Sequence, residues 1–235
     1  EPLEYCRHAY IEEKRPYMRY ERSCDFPRHG GFFILDWAFA WLQSGREEFL
    51  EQIGTMLDYW WEKKDDRGLL RIESRSPESA TEFYGVNNMV QTLSLGVSLH
   101  EAADLLDEKQ PDLAATMRER GNVYIGGFLA GPHDIGNRVF VGESRIGTNE
   151  IVTELVTWGS SYGRKSPAAS TALIALCGYR LAGEERLFEW AEAAGKPCLT
   201  VPLPGHIAVP VRDCAVAIGL VADLFDLTGD ESWLE

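Results

Sequence analysis

A phrase of eight residues occurs three times in this chain of 235 residues. Ser44-Gly45-Arg46-Glu47-Glu48-Phe49-Leu50-Glu51, Ala182-Gly183-Glu184-Glu185-Arg186-Leu187-Phe188-Glu189 and Thr228-Gly229-Asp230-Glu231-Ser232-Trp233-Leu234-Glu235 match nearly position for position. Each sets a small residue and a glycine before acids and a bulky apolar pair. Glycine tolerates the left-handed conformation that ends a helix, and acids suit the positive start of the next one. The phrase is therefore a helix stop joined to a helix start, and its recurrence predicts repeated helical hairpins.

The stretches between the phrases fit that reading. Phe32–Gln43 is apolar nearly all round with Asp36 as its only charge, which predicts a buried helix starting near Phe32. Residues 46–63 follow as an amphipathic helix. The pattern returns in 86–106 and 111–128, where Pro111 suits a first helical turn, then in 167–181 and 184–195, and 211–228 opens a fourth pair. The first member of each pair is apolar on every side and the second on one side only. Short turns join the members of a pair, and long links join the pairs. One of these links, 128–166, holds a β-like patch at Val139–Val141 and a further short helix or strand around 149–158. In an antiparallel array all long links fall on one side, at the starts of the apolar helices, where loops on a rigid scaffold concentrate function. Four of the five histidines, His8, His29, His133 and His206, lie in the lead-in or the links. These segments are near neutral in charge, so the helical remainder carries almost all of the net −14.

That acidity makes nucleic acid and anionic membrane surfaces poor partners. No uncharged apolar run reaches the roughly 18 residues that a membrane span needs, and no signal peptide is visible. The compartment stays open. Five cysteines without tight spacing dictate no disulfide framework, and Cys177 and Cys214 read as core residues. No His, Cys and acid spacing matches a zinc site, so neither a metal nor a cofactor is expected. The chain begins on Glu1 rather than Met and stops at the end of the third phrase, before the helix it opens, which reads as incomplete at both ends.

Paired helices with apolar inner and amphipathic outer members, joined by Gly-acid turns, resemble the six-hairpin glycosidase-like (α/α) toroid superfamily. The resemblance rests on the three phrases and on FFILDWAFAW, and covers about 30–235. It implies an all-α fold of repeated α-hairpins forming an (α/α) toroid or an incomplete part of one. A lead-in segment at 1–31 would precede a hairpin-repeat domain at 32–235. It further implies a funnel lined by the starts of the inner helices, and a carbohydrate-active enzyme: a glycoside hydrolase, a polysaccharide lyase or a sugar epimerase acting on a carbohydrate substrate. The alternative is a non-catalytic helical-repeat protein that binds a glycan or peptide in its concave face.

Candidate site residues follow from position and chemistry. Asp36, one turn into a buried helix, is placed to act as a general acid or base at the funnel wall. Glu82, Tyr84, Asn87 and Asn88 put a carboxylate, a phenol and two amides at the start of the second apolar helix, with Asn87 favoured as its N-cap. Trp158 is the aromatic chosen for sugar stacking. Tyr162 and Arg164 lie in a Gly-rich stretch suited to an anion, and Arg212 and Asp213 open the fourth apolar helix. His29 is a loop-borne base or orienter. Hydrolysis would draw on Asp36, Glu82 and Asp213. Elimination would draw on His29 or Tyr84 as base, with Asn88 and Arg164 neutralising a uronate carboxylate, and the arginine-bearing links favour such an acidic sugar.

Overall fold

The computed structural model describes residues 26–72, 85–159, 166–204 and 209–234, and is mostly helical. Seven α-helices occur among these residues: α1 (Pro27–Ser44), α2 (Glu48–Trp61), α3 (Met89–Leu106), α4 (Pro111–Leu129), α5 (Ala168–Ala182), α6 (Glu185–Thr200) and α7 (Val211–Thr228). Short strands lie at β1 (Val86–Asn88), β2 (Phe140–Arg145), β3 (Ile151–Val156) and β4 (Ser166–Pro167). The chain divides into two units, Glu1–Phe128 and Leu129–Glu235.

The repeated phrase builds the same turn each time. Gly45, Gly183 and Gly229 adopt φ of 67°, 69° and 66°. Their N–H groups donate to Trp41, Tyr179 and Phe225 carbonyls at 2.7, 2.8 and 2.7 Å, closing each helix with a left-handed cap. The acids then start the next element. The side chains of Glu184 and Asp230 accept from the N–H of Arg186 and Ser232. The α3–α4 turn does without glycine: Pro111 opens α4, and Arg118 bonds Asp104 and Asp107 at 2.9 and 2.6 Å across the hairpin.

In the first unit, α1 and α3 pack side by side and start at the same end. The Arg28 N–H, in the unsatisfied first turn of α1, donates to Gln91 Oε1 at the start of α3 at 3.1 Å. A Cβ on Gly31 would lie 2.8 Å from Ser98 Cβ, so glycine is what allows the two backbones this approach. Residues 91–100 of α3 are buried without exception, as an all-round apolar helix requires. The core joins Ile34, Trp37 and Trp41 of α1 to Ile53, Met56 and Trp60 of α2 and to Leu95 and Leu99 of α3. Helix α1 starts five residues before the apolar run, because Pro27 is pre-set for a first turn.

In the second unit, α5 and α7 are likewise parallel neighbours, tied near their ends by Arg180 to Asp223 at 3.3 Å. Ahead of them, β2 pairs antiparallel with β3, and β3 runs parallel to β4. The register slips between Val141 and Glu143 and slips back between Glu143 and Ser144, two offsetting bulges. Phe140–Ser144 are all buried, so β2 shows none of the alternation by which a strand is read from sequence. Cys177 and Cys214, expected in the core, are only half-buried, and neither forms a disulfide.

A Cβ at Gly30 would sit 2.4 Å from Nε1 of the buried Trp60, whereas one at Gly54 meets nothing within 4 Å. Gly30→Val is expected to lower unfolding free energy by about 1–3 kcal/mol, and Gly54→Ala to raise it by roughly 0.5–1 kcal/mol, both read from urea midpoints. Burial of His100, partly opposed by its bond to Asn122 at 3.0 Å and by Asp104, lowers its pKa from 6.5. The unfolded chain therefore takes up this proton first as pH falls. Stability from this group is full above about 6.5 and declines below it, and His100→Gln is expected to remove that part of the pH slope in thermal melts.

Candidate functional site

In each unit the starts of the parallel first-of-pair helices collect the long links and the polar side chains. At the first, the link after α2 is fastened to the start of α3. Asp65 organises it: its carboxylate accepts from the N–H groups of Arg67 and Leu69 at 3.0 and 2.9 Å, from the Arg67 guanidinium, and from Asn87 Nδ2 at 3.0 Å. The Leu70 N–H donates to Thr92 Oγ1 at 3.0 Å, and the Asn88 N–H to the Leu70 carbonyl at 2.7 Å. Asn88, rather than Asn87, caps α3 by accepting from the Gln91 N–H at 2.9 Å. The helix starts at Met89, and Asn87 belongs to the extended β1 that precedes it.

His29 is half-buried in the first turn of α1, its ring 4.9 Å from Phe26 and 6.2 Å from Phe32. It lies on the same side of the unit as Asn87 and Asn88. Asp36 does not occupy the expected place. With α1 beginning at Pro27, it lies near mid-helix, and it is exposed on a face shared with Phe32 and Phe39, which are 52% and 45% exposed. The all-round apolar pattern of this helix reflects a second apolar face that no described residue covers.

In the second unit, Asp213 is fully buried in the first turn of α7, where the helix dipole favours a carboxylate. Among the described residues no ion pair joins it to Arg212, which is exposed. Trp158 is half-buried and donates from Nε1 to the Val201 carbonyl at 3.0 Å, tying the segment after β3 to the end of α6. Beside this tie lies a cavity of about 320 Å³. Its walls are Arg138–Phe140, Glu154–Thr157, and Pro197 and Val201 at the end of α6. Val156, one of the lining residues, pairs with Pro167, the residue before α5. Glu82, Tyr84, Tyr162 and Arg164 lie outside the described residues.

Three features escaped the sequence. Asp65 gave no signal because an acid in a Lys-Asp-Asp-Arg run reads as solvated. Glu143, buried and accepting from Thr153 Oγ1 at 2.6 Å, sits in a strand without alternation. Arg138 joins a cavity made by three segments distant in sequence. Among the described residues no three His, Cys, Asp or Glu side chains converge as metal ligands would, and no helix is long and apolar enough to cross a membrane.

No protein-family model matches the chain, and no curated protein matches it in sequence. Solved structures do resemble it. A family 76 α-mannanase of Bacteroides thetaiotaomicron superposes with a TM-score of 0.53 at 14% identity, over 89% of this chain and 54% of that one. A second family 76 glycoside hydrolase (mannosidase) of the same organism gives 0.51 at 12% identity, over 89% and 56%. An unsaturated glucuronyl hydrolase variant described with dGlcA-Glc-Rha-Glc gives 0.57 at 14% identity, over 98% and 63%. The chain thus spans less than two thirds of each of these proteins. At these identities the likeness is one of fold alone: the chain has the (α/α) hairpin fold seen in these structures.

The bonds at the start of α3 set its stability. Asn88→Ala is expected to cost about 1 kcal/mol as a lost cap. Asp65→Ala is expected to cost more, roughly 2–3 kcal/mol, because several donors lose their acceptor at once. Urea unfolding monitored by tryptophan fluorescence measures both.

Proposed function

We propose that this chain belongs to a carbohydrate-active enzyme that cleaves a glycan at the face where its first-of-pair helices begin. The observation that carries the reading is the gathering, within each unit separately, of polar side chains and long links at those helix starts. His29, Asn87 and Asn88 stand at one such face, and Asp213 and the Arg138 cavity at the other. The fold shared with glycan-processing enzymes supports it.

The substrate class we favour is a uronate-containing oligo- or polysaccharide. The arginines of the links supply the charge such a sugar needs, and one enzyme of this fold is described with a glucuronate-type tetrasaccharide. Hydrolysis requires a proton donor and a second carboxylate that acts as nucleophile or activates water. Asp213, held out of water at the first turn of α7, is our first choice for one of these roles. Elimination would instead use His29 or Tyr84 to take the proton beside the uronate carboxylate, with Asn88 stabilising the carbanion-like charge.

The test is turnover by the protein on neutral and uronate-containing glycans, following reducing ends and the ultraviolet absorbance of unsaturated uronate together. Hydrolysis gives reducing ends without absorbance, and Asp213→Asn is then expected to lower kcat by roughly a hundredfold or more. Elimination gives both signals and shifts that loss to His29→Ala and Tyr84→Phe. Neither signal on any glycan rejects cleavage and leaves an epimerase or a glycan-binding repeat protein.

A further inference from the structure

The turn before β2 places an arginine where its backbone gives it no reason to be. Asp134 and Val139 exchange backbone hydrogen bonds of 2.9 and 2.8 Å and close a four-residue loop. The Asp134 carboxylate holds the Asn137 N–H and Nδ2 at 3.1 and 2.7 Å. Arg138 ends the loop at φ 59°, in the left-handed region that a residue with a Cβ avoids and that glycine or asparagine ordinarily fills. Nothing in the turn requires a guanidinium there.

The cavity beside it does offer a use for one. Arg138 lines the space of about 320 Å³ together with Glu154, Thr157 and an apolar wall that includes Val139, Leu155 and Pro197. Small-ligand clefts run from roughly 300 to 1,000 Å³, so this one suits a single sugar ring better than a chain. Arg118, Arg145 and Arg186 each hold a carboxylate. No ion pair among the described residues engages the Arg138 side chain, although the protein is rich in acids. A forked cation beside hydroxyl-binding oxygens and an apolar wall is the complement of a sugar carrying one carboxylate.

We propose that this cavity is a subsite for one hexuronate unit, with Arg138 pairing the sugar carboxylate, Glu154 and Thr157 taking ring hydroxyls, and the apolar wall meeting the C–H face. The assignment rests on the glycan reading above and names the part of the second unit that selects the acidic sugar.

The left-handed backbone supplies a variant that folds. Arg138→Gly removes the guanidinium and relieves the turn, so its melting temperature is expected to equal or exceed that of the parent. The protein and its Arg138→Gly and Arg138→Lys variants are titrated with sodium glucuronate, glucose and sodium acetate by calorimetry or ligand-observed NMR. Glucuronate is expected to bind the parent more tightly than glucose or acetate, and Arg138→Gly to weaken it roughly tenfold or more. Arg138→Lys is expected to fall between, keeping charge without the fork. Equal glucuronate affinity in Arg138→Gly overturns the proposal, as does acetate binding as tightly as glucuronate, which marks a bare anion contact. The two readings fail separately. Arg138-dependent glucuronate binding without glycan turnover keeps the subsite and rejects the enzyme. Turnover whose KM for uronate glycans ignores Arg138→Gly does the reverse.

Discussion

One backbone contact governs the layout of this protein: the N–H of a left-handed glycine closing on the carbonyl four residues earlier. It ends a helix within one residue and leaves the chain aimed backward, so the helix that follows must run antiparallel to it. Within each unit, the two first-of-pair helices run the same way and start at the same end. The contacts Arg28–Gln91 in one unit and Arg180–Asp223 in the other are independent readings of that parallel arrangement.

A face built from helix starts carries unsatisfied N–H groups, and the structure spends its polar side chains there. Gln91 serves α1, Asn88 serves α3, and Asp65 draws the preceding loop in so that its own donors are met. These residues meet backbone donors that the helix starts leave open. Asp213 and Arg138 are of a different kind. One is a carboxylate taken fully out of water, and the other a cation in a conformation that its own turn does not ask for.

The hairpins were legible because their signals are local. Cap glycines, first-turn acids and 3.6-residue periodicity all act within a few residues, and the helices appear where those signals put them. Boundaries shifted where two local signals competed, as with Pro27 extending α1 past its apolar run and Asn88 displacing Asn87 as cap. Strand β2 was visible only as a patch, since a segment buried on both faces and bulged twice has no period to detect. The exposure of Asp36 was illegible for a related reason: an apolar stripe states that a face avoids water, not which neighbour covers it. Arg138 was beyond reach altogether, because a cavity wall assembled from three segments leaves no trace along any one of them.

The shared direction of neighbouring helices has an electrostatic meaning as well. Each helix start carries the equivalent of about half a positive charge, and in each unit two such ends lie side by side. On a body with a net charge of −14 these ends offset part of the surrounding negative charge locally. For the acidic sugar proposed above, the net charge would repel the ligand at long range, and the helix starts would offset that repulsion only within a Debye length, about 8 Å at physiological salt. Overall acidity and the proposed acidic ligand are then not in conflict, because the one acts at long range and the aligned backbone dipoles at short range.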